Sequence, residues 1–191
     1  MQIGQLIARI FDIDSKELRT VLSSFCLVML LMTSYYILRP VRDSMASDWS
    51  DIEVSWLWTF TFLFSAIAIS FYGYIASRVR LIYLIPGVYI FFALSFLLFY
   101  FSNNITEIKT FLDKAFYVWV SVYALFHVSV FWSLMAETFS KAQAKRLFGF
   151  IAAGASIGAI IGPFFTAFFV STLGNHLLLL IASAIIILAV P

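Results

Sequence analysis

The chain has 191 residues, of which 63% are hydrophobic, 19% aromatic and only 12% charged. A water-soluble domain carries about 25% charged residues, so a soluble core could not hide this much apolar surface, and lipid must surround most of the chain. A net charge of +2 without a basic tract argues against nucleic acid as a partner. The single cysteine, Cys26, rules out an intrachain disulfide and a thiol metal site.

In chain order, residues 1–19 come first. Ile3, Leu6, Ile7 and Ile10 fall at helical spacing with Gln2, Gln5, Arg9 and Asp12 on other faces, the pattern of an amphipathic segment lying at a membrane interface. It is not a secretory signal, because polar residues interrupt the apolar part and no small-residue cleavage site follows. Asp14 and Glu17 then have the spacing of a capping box, with Asp14 as cap. Uncharged windows follow at 20–38, 54–77, 81–106, 115–136 and 147–191. The last is too long for one span and is divided by the turn-like cluster 171–175.

These windows predict an all-α polytopic transmembrane helix bundle of six spans over residues 20–191. The sixth span, starting near His176, reaches Pro191 after about 16 residues or roughly 24 Å, short of the roughly 30 Å hydrocarbon core. The chain is therefore expected to stop inside its sixth helix, as a fragment would.

Orientation follows from the positive residues. With the N-terminus inside, Arg9, Lys16, Arg19, Arg78, Arg80, Lys141, Lys145 and Arg146 lie inside, against Arg39, Arg42, Lys109 and Lys114 outside. That bias predicts a cytoplasmic N-terminus. Trp49, Trp56 and Trp58 then fall where an outer aromatic belt belongs.

Three groups of residues carry candidate chemistry. Arg39, Arg42 and Asp43 follow the first window, where ionisable groups near membrane depth suggest a binding site or an ion path. If the helix continues through Pro40, the three share a face, and two guanidiniums there suit a phosphate or carboxylate. If it ends at Leu38, the arginines are headgroup anchors that snorkel. Tyr35 and Tyr36, beside them, are candidates for stacking on a base.

In the fifth window Gly149, Gly154, Gly158 and Gly162 recur, with Pro163 next. The last three glycines sit four apart and leave a smooth stripe for a close-packed or sliding helix. Glu137 is placed to pair with Lys141 one turn on, and together with Lys145 and Arg146 marks an inner-end ion pair or gating contact. His127, in mid-window, is a proton relay or, more blandly, a neutral side chain hydrogen-bonded to a neighbouring helix. The sequence lacks a P-loop, a dinucleotide glycine fingerprint, metal-spaced histidines and a hydrolase elbow, so neither an enzyme nor a cofactor is expected.

Six spans with an inside N-terminus resemble the N-terminal half of a major facilitator superfamily transporter. The segment from Gly73 through Ser77 to Arg78, Val79 and Arg80 is similar to that superfamily's basic loop motif, with Ser77 in place of its usual aspartate and the second glycine missing. Gly149, Gly158, Gly162 and Pro163 match the glycine-proline pattern of exchangers, although Thr166 and Ala167 stand where paired glycines are usual. More narrowly, the run from Ile37 to Asp43, with Phe131-Trp132 and the run from Ala144 to Gly149, resembles the ATP/ADP translocase family over roughly residues 20–170. The family's leucine-arginine-x-x-lysine-aspartate stretch falls on Leu38, Arg39, Arg42 and Asp43.

The resemblance implies an antiporter of the bacterial inner membrane, with a small anionic substrate such as ATP or ADP. Its partners would be the lipid bilayer and a C-terminal six-helix half of the same transporter. In that mechanism Arg39 and Arg42 attract phosphates, Asp43 holds the arginines, and the glycines let helices slide. The alternatives are a carrier of another small solute and a non-transporting membrane adaptor.

Overall fold

The computed structural model describes residues 13–102 and 108–190. Residues 1–12, most of the expected interfacial segment, lie outside the described residues. Five helices follow: α1 (Leu18–Ala46), α2 (Asp51–Ala76), α3 (Leu81–Ser102), α4 (Lys109–Thr138) and α5 (Lys141–Leu188). All five are long and apolar enough to cross a membrane. In hydrocarbon each backbone N–H and C=O needs a partner within the chain, so long uncharged runs become helices whatever their individual propensities.

Local chemistry sets several helix ends. Ser50 accepts from the Glu53 backbone N–H while the Glu53 carboxylate accepts from the Ser50 N–H, closing a capping box on α2. Ser140 and Gln143 do the same for α5. The capping box expected at Asp14 and Glu17 does not form. Glu17 itself is the N-cap of α1 and makes no side-chain cap bond. Its carboxylate is engaged mainly by Gln143 Nε2 at 2.7 Å and Arg146 Nη2 at 2.9 Å, and a guanidinium is a stronger partner than a backbone N–H.

The expected fifth and sixth spans follow one another within α5, which consists of two helices joined at a kink. A straight helix of its 48 residues would be roughly 72 Å long, far beyond one bilayer crossing. The element is broken at Gly174, whose φ of 70° and ψ of 165° suit glycine alone. Of the turn-like cluster only this residue leaves the helical conformation, so the expected loop between the two spans is a one-residue kink. The two limbs run in opposite senses. Asn175 Nδ2 donates to Ser44 Oγ near the end of α1 at 3.1 Å, whereas Leu188 shares a cavity with Thr20 and Leu27 near the start of α1.

The first limb of α5 lies parallel to α1, Gly154 meeting Phe25, Gly158 meeting Met29 and Gly162 meeting Tyr36. Helix α4 is the hub: it runs against α1 and α3 and alongside α2. Tyr123, Phe116 and Phe131 from α4 form the core with Tyr89 and Phe96 from α3 and Leu31 from α1, all under 3% exposed. By contrast α2 buries little beyond Leu57 and Ser65, and leaves Trp56, Phe62, Ile67 and Phe71 open. Within this chain α2 is held mainly through α4.

Candidate functional site

Helix α1 does not end at Leu38. It runs on to Ala46 with Pro40 inside it, so the arginines are helical residues and not a trailing loop. Pro40 removes one backbone hydrogen bond but leaves the helix intact within this packed bundle. Arg39 and Asp43 therefore stand one turn apart on the same face.

Asp43 is the centre of the group. Its Oδ1 accepts from Arg42 Nε at 2.9 Å and from Arg42 Nη2 at 2.6 Å. Its Oδ2 lies 3.7 Å from Arg39 Nε, an ion pair too long for a hydrogen bond. The two arginines are not equivalent. The Arg42 side chain is 14% exposed and turned into the bundle, where Nη1 donates to Ser121 Oγ on α4 at 3.1 Å and the guanidinium lies over the Tyr117 ring at 5.1 Å. The Arg39 side chain is 48% exposed, lies over the Tyr36 ring at 5.9 Å, and donates to no acceptor among the described residues.

Behind Arg42 a polar chain crosses two more helices. Ser121 Oγ donates to the Tyr117 carbonyl at 2.8 Å, and Trp58 Nε1 on α2 donates to Tyr117 Oη at 2.9 Å. Beside it Lys114 pairs with Glu53 at 2.7 Å and lies 5.9 Å from the Trp49 ring. Ser121, Tyr117 and Trp58 were not singled out in the sequence as partners of Arg42. The spacing of Tyr117 and Ser121, one turn apart in an uncharged window, was the available signal.

The two tyrosines before the arginines diverge. Tyr36 packs towards Gly162, and Tyr35 lies against His127 with ring centroids 5.0 Å apart. His127 is 2% exposed and also stacks on Tyr123 at 5.0 Å. Its Nδ1 is 2.9 Å from the Tyr123 carbonyl one turn back, and a carbonyl only accepts, so Nδ1 carries the hydrogen. The histidine's hydrogen bond is thus to its own helix, not to a neighbouring one as expected, and Nε2 has no partner among the described residues. The neighbouring helix contributes in a different way: Tyr89 on α3 donates to the His127 carbonyl at 3.2 Å.

At the opposite end of α1 and α5 the expected Glu137–Lys141 pair is not made. Helix α4 ends at Thr138, and Phe139 is extended, so the two residues are no longer one helical turn apart. Glu137, Lys141 and Lys145 are exposed and make no ion pair among the described residues. Arg146 is the residue used there, bonded through Nη2 to both oxygens of Glu17 at 2.9 and 3.1 Å. The hydrogen bond from Gln143 is the main cause that lowers the Glu17 carboxyl below the usual carboxylate range; burial opposes it, and the hydrogen bond and charge of Arg146 add to the lowering. Just above, Trp132 on α4 packs on Phe148 of α5 at 5.3 Å, joining two of the sequence patterns noted above.

The glycines also divide. A Cβ on Gly154 would lie 2.6 Å from the Phe25 carbonyl oxygen, and one on Gly162 would lie 2.6 Å from Tyr36 Cβ. At Gly158 it would overlap the Met29 carbonyl oxygen and stand 2.8 Å from Met32 Cβ. Gly149 has nothing within 4 Å and does not belong to the stripe. Pro163 lies inside α5, directly after the last close approach.

No match was found among curated proteins or among solved structures. The family model of the Major Facilitator Superfamily matches residues 24–191, the stretch that contains the arginine group, the α4 hub and the glycine-lined interface, and the chain belongs to that superfamily.

Proposed function

We propose that this chain forms the N-terminal half of an exchanger of phosphorylated anions, with nucleotides such as ATP and ADP as the first candidates. Membership of the superfamily makes the protein an integral membrane transporter of a small solute; the choice of an anion rests on the arginine group of α1. The carrying observation is that Arg39, half-exposed and with its donors uncommitted, stands one turn from a second arginine that is held rigidly against α4. A phosphate accepts from the fork of one guanidinium and is attracted by the charge of the other. The sequence pattern around these residues, similar to that of ATP/ADP translocases, agrees with the same substrate class.

In the proposed cycle a second six-helix half closes over the exposed face of this one, and the two rock about a site near the midplane. The parallel pair α1 and α5, joined through small residues, moves as a unit that carries Arg39. Superfamily carriers of other solutes would use the same frame with different side chains facing the cavity.

The test is uptake and exchange by the full-length protein in proteoliposomes, comparing labelled nucleotides with other anions and with neutral solutes. Removing one charge-assisted contact costs about 1.5–3 kcal/mol, or roughly 10- to 150-fold in binding. Arg39→Ala should therefore weaken nucleotide binding by that factor at matched levels of folded protein. Wild-type exchange by Arg39→Ala, or transport confined to neutral solutes, refutes the anion reading.

A further inference from the structure

We propose that Asp43 is a resident counter-anion: it occupies the arginine site when no substrate is present and is displaced when the anion of the substrate binds. The inference rests on the anion reading above and assigns Asp43 a competing role in place of a supporting one.

Three observations carry it. First, Asp43 takes the donors that a ligand would take. A carboxylate, like a phosphate, is an acceptor-only group matched to the guanidinium fork, and Oδ1 already holds both Nε and Nη2 of Arg42. Second, the attachment is one-sided. Arg42 has a second anchor at Ser121 Oγ that fixes it without Asp43, whereas Asp43 has no hydrogen-bond donor other than Arg42 among the described residues. When Asp43 turns away, Arg42 keeps its place. Third, the Asp43 carboxylate is 50% exposed although its partner Arg42 is only 14% exposed, and the neighbouring Arg39 is 48% exposed, so the Arg39–Asp43 side of the site is open to water and to an incoming anion. An ion pair this open is weak, because water readily replaces either partner.

Charge gives the reason for such a device. Two guanidiniums near membrane depth without an anion would be costly. Asp43 leaves the empty site with two positive charges and one negative, enough to draw in an anion without leaving both cations uncompensated. As substrate arrives, its phosphate replaces the carboxylate on Arg42 and engages Arg39. As it leaves, the return of Asp43 to Arg42 competes for the same donors and speeds release. This is an advantage for an exchanger, whose turnover is limited by substrate that holds on.

The experiment measures equilibrium binding and dissociation of two probes, labelled ATP and inorganic phosphate, on the full-length protein in nanodiscs. Asp43→Asn removes the competing charge and keeps the shape. It should bind the probe that wild type binds about tenfold more tightly, equivalent to about 1.4 kcal/mol, with slower dissociation and slower exchange. Asp43→Glu keeps the charge and should stay within about threefold of wild type. If Asp43→Asn binds equally or more weakly while its melting temperature is unchanged, Asp43 is a strut for the arginines and the proposal is overturned. Should Asp43→Asn not fold, Asp43→Ser removes the same charge, and failure of both to fold assigns the residue a structural role and overturns the proposal as well. The underlying reading fails separately. If Arg39→Ala binds as wild type does, or wild type binds neither probe, the site is not an anion site; if Arg39→Ala weakens binding and Asp43→Asn does not strengthen it, only the counter-anion role is lost.

Discussion

Replacing Gly158 with alanine should loosen the contact between α1 and α5, whereas the same replacement at Gly149 should not. A Cβ at position 158 would overlap the Met29 carbonyl oxygen, lie 2.8 Å from Met32 Cβ and lie 3.1 Å from the Thr33 nitrogen. Two of these three atoms are backbone and cannot rotate aside, so α1 has to move. Overpacking of this kind costs about 1–3 kcal/mol. Because the nearest obstacle is rigid, the cost should fall near the upper end, and the better helix propensity of alanine returns about 1 kcal/mol. The net expectation is a loss of about 2 kcal/mol, near 30-fold in an unfolding equilibrium. At Gly149 nothing lies within 4 Å, so only the propensity gain of about 1 kcal/mol remains and the sign reverses. Reversible unfolding of the purified chain in mixed micelles with increasing denaturing detergent measures both variants under one condition. If Gly158→Ala is as stable as Gly149→Ala, the close approach does not govern packing and the reasoning fails.

Other expectations concern the polar contacts. Glu17 has a folded-state pKa below its unfolded value, so its contribution is present above the unfolded carboxyl range and is lost as pH falls through the folded one; Glu17→Gln should flatten the drop in melting temperature on acidification through and below the usual carboxylate range, and an unchanged acid profile would count against the pairing with Gln143 and Arg146. Trp58→Phe and Tyr117→Phe each break the 2.9 Å hydrogen bond between α2 and α4, at about 0.5–1.5 kcal/mol each; a double-mutant cycle on melting should show coupling, and strict additivity would mean that the bond contributes nothing. For His127→Phe, which keeps the ring between Tyr35 and Tyr123 and removes an unpartnered buried nitrogen, stability should stay within about 1 kcal/mol of wild type. A large loss there would show that the imidazole nitrogens make contacts that ring stacking alone does not replace.

Much of the fold was legible because charge is so scarce. Every expected span up to residue 138 became a helix of its own, since an uncharged run of that length in lipid has no other way to satisfy its backbone. The cluster at 171–175 was harder to read. Only Gly174 can adopt its observed conformation without strain, and its neighbours remain helical, so the boundary consists of a single residue. Pairings between distant residues were the least legible. Glu17 looked like the local capping-box partner of Asp14, three residues before it, but the sequence does not show that the start of α5 lies alongside. Glu137 and Lys141 had the correct spacing for an ion pair, and the extended Phe139 between them cancelled it. Gly149 had the composition of the glycine stripe without its register, sitting five residues before Gly154 where the stripe repeats every four.

The arginine group shows what three-dimensional context adds to a motif. In the sequence, Arg39 and Arg42 are two similar cations three residues apart, and a shared helical face treats them alike. The neighbouring helix separates them. Ser121 and Tyr117 give Arg42 a second set of contacts and take it largely out of solvent, whereas Arg39 faces the side of α1 that α4 does not cover. The chain from Arg42 through Tyr117 to Trp58 also ties α1 to α2, which otherwise has little buried surface within this chain. A force on Arg42 is therefore transmitted to two helices, while a ligand on Arg39 meets a side chain still free to move. One arginine is held in position and the other is open to solvent, so an anion bridging them, as proposed, would couple an incoming charge to the packing of α1, α2 and α4.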